Sequence, residues 1–132
     1  MNDAAPGEGR HGPVTVLVVD DNADIRRLIR LTLAKSYDVL EAEDGEQALR
    51  LVGERRPQLV ILDIMMPGVV DGLQVLDHIK ESAELAHIPV AMVTARGQSS
   101  DWDEGVRRGA DAYFVKPFSP RDLLEWVESV LD

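Results

Sequence analysis

Near its start the sequence reads Val14-Thr15-Val16-Leu17-Val18-Val19-Asp20-Asp21, an apolar run that stops at two carboxylates. The run is β-branched and continuous rather than alternating, which is typical of a strand covered on both faces of a parallel sheet. Two further runs have the same form: residues 59–62 stop at Asp63, and residues 88–93 stop at Thr94. We therefore predict three buried strands, each followed by a polar side chain.

Helical patterns alternate with these strands along the chain. Weaker strands are predicted at residues 37–41 and 111–115, and apolar residues recur at helical spacing between all five. Asp44 with Gln47 has the pattern of a capping box, Gly109 is expected to close a polar fourth helix, and Ser119 is expected to cap the last one. The order is βα repeated five times. It predicts an α/β fold with a doubly wound, five-stranded parallel sheet and helices on both faces.

Composition limits the functions open to this chain. Its 132 residues suit one domain, and we expect a disordered lead-in at 1–13 followed by a single domain at 14–132. A formal net charge of −10 disfavours nucleic-acid and anionic-membrane binding, and the apolar runs are too short to span a bilayer. The absence of cysteine excludes thiol catalysis and disulfides, and it favours a reducing cytoplasm.

Polar residues at the predicted strand ends form a candidate site, and they comprise Asp20, Asp21, Asp63, Thr94 and Lys116. Strand ends of a parallel α/β sheet share one edge, so these residues can converge. Crowded carboxylates repel one another unless a cation relieves them, and oxygen ligands alone favour Mg²⁺ or Mn²⁺ over zinc. A lysine and a threonine can hold phosphoryl oxygens, which leaves one carboxylate as a nucleophile.

Four segments of the sequence resemble bacterial response-regulator receiver domains, over about residues 14–131. They are Leu17-Val18-Val19-Asp20-Asp21-Asn22, Leu62-Asp63-Ile64-Met65-Met66-Pro67, Val93-Thr94-Ala95 and Tyr113-Phe114-Val115-Lys116-Pro117-Phe118. Each segment alone is a weak signal, but the combination is highly specific. The resemblance implies a flavodoxin-like (βα)5 fold with strand order 2-1-3-4-5.

The same resemblance implies the role of each acidic residue. Asp63 would accept the phosphoryl group. Asp21, Asp63 and the backbone carbonyl of Met65 would contact Mg²⁺ directly, while Asp20 would act mainly through water.

The remaining site residues would sense the phosphoryl group. Lys116 would bind it and form a cis peptide bond with Pro117. Thr94 would move to bind a phosphoryl oxygen, and Tyr113 would turn inward behind it. The small Ala95 would keep a path to the acyl phosphate open.

The resemblance also implies a signalling partnership. A histidine kinase or a histidine phosphotransfer protein would donate the phosphoryl group. A downstream protein would bind the face formed by the fourth helix, fifth strand and fifth helix. We expect a single-domain switch, monomeric or weakly dimeric, that assists only its own phosphorylation and dephosphorylation and is not otherwise an enzyme.

Two places depart from the common receiver pattern. The segment Gly68-Val69-Val70 makes the loop after Met66-Pro67 one residue longer, which leaves the path of that loop open. Arg96 occupies a position that influences the lifetime of the phosphorylated state in the family. Because an arginine there can pair with phosphate or screen the attacking water, we expect slow to moderate self-dephosphorylation.

Several alternatives remain open from sequence. Asp20, Asp21 and Asp24 could merely cap a helix. A haloacid-dehalogenase-like, Mg²⁺-dependent phosphatase is the main alternative function, although no substrate cap is evident. A flavin or nucleotide binder would want donors around phosphate where this chain has acids, and a pseudo-receiver would lack the acidic set. The tryptophans, Trp102 and Trp126, are expected to pack at helix edges or to face a partner.

Overall fold

The computed structural model describes residues 14–66, 68–95 and 99–132, and for residues 99–102 the backbone alone. The predicted lead-in, Arg96 and the side chain of Trp102 lie outside these described parts. Strands and helices alternate strictly. In chain order they are β1 (Thr15–Val19), α1 (Ala23–Leu33), β2 (Asp38–Ala42), α2 (Gly45–Arg55), β3 (Leu59–Asp63), α3 (Gly72–Glu81), β4 (Val90–Ala95), α4 (Ser99–Arg107), β5 (Ala112–Lys116) and α5 (Pro120–Leu131).

The five strands form one parallel sheet in the order β2-β1-β3-β4-β5. This confirms the predicted fold class and strand order. The middle strand is β3, with Val19 of β1 beside Leu62 and Val93 of β4 beside Asp63. At the far edge, Ala95 of β4 pairs with Lys116 of β5. All five strands therefore end along one edge, and Asp63 lies at its centre.

The continuous apolar runs are explained by two cores, one on each face of the sheet. Leu17 and Val19 point into a core shared with α2 and α3. Their neighbours Val16 and Val18 point to the opposite face, where they pack with α1 and α5. Because successive residues of a strand face opposite sides, every position of β1 except its first is buried. Both faces of the strand are thus occupied, and only its carboxyl end is free to present polar groups.

Several predicted boundaries need correction. β4 begins at Val90 rather than at residue 88, since the Ile88 N–H bonds back to Leu85 and Pro89 only accepts, from Val60. It also extends to Ala95, so Thr94 lies inside the strand and not beyond it. Asp63 and Lys116 are likewise the last residues of their strands.

The helix starts were predicted in part. Ser119 caps α5, and Asp44 caps α2, as expected. The capping box at Asp44 is incomplete, however, because the Gln47 side chain accepts from Glu43 instead of the cap residue. A complete box occurs at α3, between Asp71 and Gln74, where it was not predicted.

Two other expectations concern α4 and α5. Gly109 ends α4 with a positive φ of 98°, as predicted. Trp126 packs edge-on against Phe114, with ring centroids 6.1 Å apart, which supports packing at a helix edge.

In the described part of the chain, no helix is both long enough and apolar enough to cross a membrane.

Candidate functional site

The loop after β1 holds two carboxylates at the centre of the sheet edge. Asp20 is buried, and its N–H continues the β1–β2 ladder to Ala42 at 3.1 Å. Its Oδ1 accepts from the Asn22 N–H at 2.9 Å. Asn22, in turn, caps α1 by accepting from Asp24 and its neighbour. The alternative in which Asp20, Asp21 or Asp24 caps this helix is therefore wrong, and Asp21 remains exposed at the surface of the site.

Asp63 is placed by the central strand and by the start of α3. Only 4% of it is exposed, and its Oδ1 accepts from the Met65 N–H at 3.2 Å. Gly72 allows α3 to begin directly against this strand end, because a Cβ there would lie 2.1 Å from the Asp63 carbonyl oxygen. The position of Asp63 thus depends on a glycine nine residues further along the chain.

Lys116 reaches both buried carboxylates from the edge strand β5. Its Nζ lies 2.9 Å from Asp20 Oδ2 and 3.5 Å from Asp63 Oδ2. Burial works to lower the pKa of Lys116, but the hydrogen bond to Asp20 and the charges of both carboxylates outweigh it and raise the pKa. The ammonium is therefore held in its charged form. The peptide bond from Lys116 to Pro117 is cis, as the resemblance implied.

Asp63 has an unusual acidity. Its pKa is raised from 3.8 to about 6, first by burial and then by repulsion from Asp20, although Lys116 and the Met65 N–H oppose the shift. One ammonium thus does not fully offset the crowded carboxylates. Each of Asp20, Asp21 and Asp63 can offer one oxygen, and these three atoms lie within 4.8 Å of one another. An all-oxygen set of this compactness suits a hard divalent cation such as Mg²⁺.

The predicted switch residues lie on β4 and β5. Thr94 follows Val93, which pairs with Asp63, and Tyr113 pairs with Met92. Thr94 is buried, and its hydroxyl donates to the Ala95 carbonyl at a long 3.5 Å. The ring of Tyr113 lies against Gly105 of α4, where a Cβ would come within 3.1 Å of it. The structure thus brings Asp20, Asp21, Asp63 and Lys116 together and places the switch pair on the neighbouring strands.

The lengthened loop before α3 borders the site. Val70 packs so closely on Gly45, the first residue of α2, that a Cβ there would lie 2.3 Å from the Val70 carbonyl oxygen. Gly68 adopts a positive φ of 104°, and Val69 is exposed. A groove of about 470 Å³ is lined by the loop, by Asp21 and by the start of α2. The extra residue therefore lies outside the carboxylate cluster.

Sequence reasoning missed three residues that shape the site. Asn22 was quoted only as part of a motif, and Gly45 and Gly72 were given no role. A signal was present for the two glycines, since each follows an aspartate that caps a helix.

A family model described as the response regulator receiver domain matches residues 16–128. The chain belongs to this family. The receiver domain is 40% identical over 118 residues to the phosphate regulon transcriptional regulatory protein PhoB of Pseudomonas aeruginosa, covering 89% of this chain and 51% of that protein. It is 42% identical over 117 residues to the transcriptional regulatory protein ResD of Bacillus subtilis, covering 88% and 47%. The chain thus spans about half the length of these curated relatives.

Two solved structures match the receiver domain along nearly their whole length. A response regulator described as putative, from Chloroflexus aurantiacus, superposes with a TM-score of 0.84 at 32% identity, covering 91% of this chain and 98% of that one. The chemotaxis protein CheY4 of Vibrio cholerae gives 0.82 at 32% identity, covering 91% and 100%. Membership of this family favours a receiver of two-component systems over the haloacid-dehalogenase-like phosphatase.

Proposed function

We propose that this receiver domain is a Mg²⁺-dependent phosphoacceptor switch and that Asp63 takes the phosphoryl group. The observation that supports it most is the placement of Asp63, buried at the end of the central strand beside two further carboxylates and an ammonium. Aspartate can form a covalent phosphoryl intermediate. The family membership supports the same chemistry.

The reaction we propose is a transfer from a phosphohistidine to a carboxylate. An oxygen of Asp63 attacks the phosphorus, the phosphorus–nitrogen bond breaks, and its electron pair leaves with the imidazole of the donor. The product is an aspartyl phosphate. Because such transfers need mainly alignment and neutralisation of charge, the residues around Asp63 act by position rather than by proton transfer.

Asp20, Asp21, Asp63 and the Met65 carbonyl oxygen would hold the cation. Bound Mg²⁺, or Mn²⁺ in its place, supplies positive charge to the phosphoryl oxygens and offsets the repulsion that raises the pKa of Asp63. Lys116 already lies 3.5 Å from Asp63, so its ammonium can pass from that carboxylate to a phosphoryl oxygen.

Thr94 and Tyr113 would transmit the change to the surface. The long bond from the Thr94 hydroxyl to Ala95 costs little to give up, so the hydroxyl can turn to a phosphoryl oxygen. Tyr113 can then move relative to Gly105 and alter the face of α4, β5 and α5. A new charge that biases a two-state surface is a common basis for such switches.

The partners follow from this scheme. A histidine kinase or histidine phosphotransfer protein is the proposed donor, and a protein that binds the α4–β5–α5 face is the proposed output. We also propose that residues 14–132 act as one domain, that the chain functions in the cytoplasm and that it binds neither nucleic acid nor membrane.

The test is to incubate the protein with Mg²⁺ and a small phosphodonor such as phosphoramidate and then measure its intact mass. We expect a gain of one phosphoryl group that is lost in Asp63→Asn and greatly reduced when EDTA removes the metal. A gain that persists in Asp63→Asn would contradict the assignment.

The same experiment separates the alternatives. Turnover of an external phosphoester, such as p-nitrophenyl phosphate, would favour the phosphatase. No gain with any donor would favour a pseudo-receiver.

A further inference from the structure

Arg26 of α1 joins the loop after β1 to the edge strand β2. Its Nη1 donates to the Asp20 carbonyl oxygen at 2.7 Å, and its Nε donates to the Glu41 carboxylate at 3.1 Å. The side chain is only 14% exposed. Because a planar guanidinium with two partners is fixed in orientation as well as in place, Arg26 forms a rigid connection between these two segments.

The bond to Asp20 acts on the backbone between the two metal carboxylates. The Asp20 N–H is bound to Ala42 at 3.1 Å, and its side chain is bound to the Asn22 N–H. Its carbonyl oxygen belongs to the peptide plane that leads into Asp21. By binding that oxygen, Arg26 sets the tilt of this plane and hence the direction in which the Asp21 side chain leaves the chain.

The charge of Arg26 does not favour a cation at the neighbouring carboxylates. A positive group next to a cation site weakens cation binding by repulsion. Glu41 reduces that effect by pairing with Arg26 and also with Arg30, at 2.6 Å. What remains is the geometric contribution of the guanidinium.

We propose that Arg26 is a positioning residue of the divalent-cation site, acting through the Asp20 carbonyl oxygen and held in place by Glu41. This inference rests on the proposed function, since it requires a cation at Asp20, Asp21 and Asp63. Groups that orient metal ligands without touching the metal typically change its affinity by about 10- to 100-fold.

Arg26→Met tests the inference, with Arg30→Met as the matched control. Arg30 pairs with the same glutamate and is 42% exposed, and the bond to the Asp20 carbonyl comes from Arg26 alone of the two. Mn²⁺ binding to the full chain is measured by electron paramagnetic resonance, without a phosphodonor. We expect an affinity about ten-fold weaker in Arg26→Met and unchanged or slightly tighter in Arg30→Met.

The direction of the effect is informative. Loss of a positive charge should by itself strengthen cation binding in both Arg26→Met and Arg30→Met. Loss of the bond that orients the Asp20 carbonyl should weaken cation binding in Arg26→Met alone. We further expect the phosphorylation rate of Arg26→Met to recover at saturating Mg²⁺, because the chemistry at Asp63 is intact. Mn²⁺ binding by Arg26→Met as tight as by Arg30→Met would overturn the inference.

Two controls keep the outcome clear. If the unaltered protein binds no Mn²⁺, the proposed function itself fails, and this inference fails with it. If Arg26→Met does not fold, as judged by circular dichroism, Arg26→Lys replaces it. A lysine ammonium cannot bridge Asp20 and Glu41 as the planar guanidinium does. An unchanged Mn²⁺ affinity in folded Arg26→Lys would therefore also refute the positioning role.

Discussion

At the scale of single residues, the Asp63 carboxyl makes the stability of the metal-free protein depend on pH. Its pKa is about 6 in the folded protein against an ordinary 3.8. In the unfolded chain this carboxyl ionises near pH 3.8. Between that pH and about pH 6 the folded protein therefore holds a proton that the unfolded chain has lost. The free energy of unfolding therefore falls as the pH rises through this window, and the loss is complete above about pH 6.

Asp63→Asn should remove this penalty, because an amide is neutral at every pH. We expect the metal-free variant to be more stable than the unaltered protein by about 2 kcal/mol near pH 7.5. Most of that advantage should vanish near pH 4.5, where the unaltered Asp63 is largely protonated in the folded state. Urea unfolding in EDTA at both pH values measures the difference. If the difference in unfolding free energy between the two proteins is equal at both pH values, the ionisation of Asp63 is not the source of that difference.

At the scale of elements, the contact between β3 and α3 admits only glycine at position 72. A Cβ there would lie 2.1 Å from the Asp63 carbonyl oxygen and 2.7 Å from the Ile64 Cα. Both are backbone atoms, so neither can rotate away. Any larger residue must push the start of α3 off the strand end that presents Asp63.

We therefore expect Gly72→Ala to lower the free energy of unfolding by about 2–3 kcal/mol and to slow phosphorylation from a small donor. Gly53→Ala on α2 is the matched control, because a Cβ there has no neighbour within 4 Å. Since alanine is a better helix former than glycine, Gly53→Ala should raise the free energy of unfolding by up to about 1 kcal/mol. Urea unfolding and the phosphorylation rate give both readouts. Equal behaviour of the two variants would contradict the close approach.

The elements themselves could be predicted from sequence more fully than their junctions. The runs before Asp20 and Asp63 have the composition of buried strands, and their order required a parallel sheet. The shared edge of that sheet then predicted the convergence of distant carboxylates with Lys116. Gly72 differs locally from Gly53 in following an aspartate that caps a helix, but the close approach of Asp63 that requires glycine there comes from another segment.

The same limit applies to hydrogen bonds that cross the sheet edge. Arg26 appears in sequence as one of several arginines on a helix, and its second bond, to Glu41, forms only when β2 lies alongside. Asn22 caps α1 in place of its acidic neighbours. Predicting this requires knowing that Asp20 is instead bound by Lys116. Strand limits were missed for a related reason, because the ladder partners of Thr94 decide where β4 ends.

At the scale of the whole molecule, the α4–β5–α5 face exposes apolar surface suited to a partner. Val106 is 56% exposed, and Val115 is also exposed. A cavity of about 230 Å³ beside Val106 is lined by Val106, Ala110, Asp111, Ala112 and Tyr113. Tyr113 connects this cavity to the strand that ends at Lys116, so a change at the site can reach it.

We predict that the expected weak dimer forms through this face when Asp63 is phosphorylated. Val106→Lys should then weaken that self-association by at least about ten-fold, because an unpaired charge would be buried in the contact. Phosphorylation itself should be unaffected. Leu31→Lys on α1, which also replaces an exposed apolar side chain, is the control and should leave association unchanged. Sedimentation velocity with and without phosphodonor measures both. Equal self-association of the two variants would exclude this face as the contact.

The bond from Lys116 to Asp20 joins residues 96 positions apart, and it has a consequence during synthesis. A chain still emerging from the ribosome can already contain all three aspartates while it lacks β5 and its lysine. The carboxylates then have no ammonium between them, and the phosphoryl group has no lysine to receive it. On the proposed function, we therefore expect competence to be phosphorylated to arrive with the last strand, and a copy that lacks β5 to be phosphorylated more slowly than the complete protein.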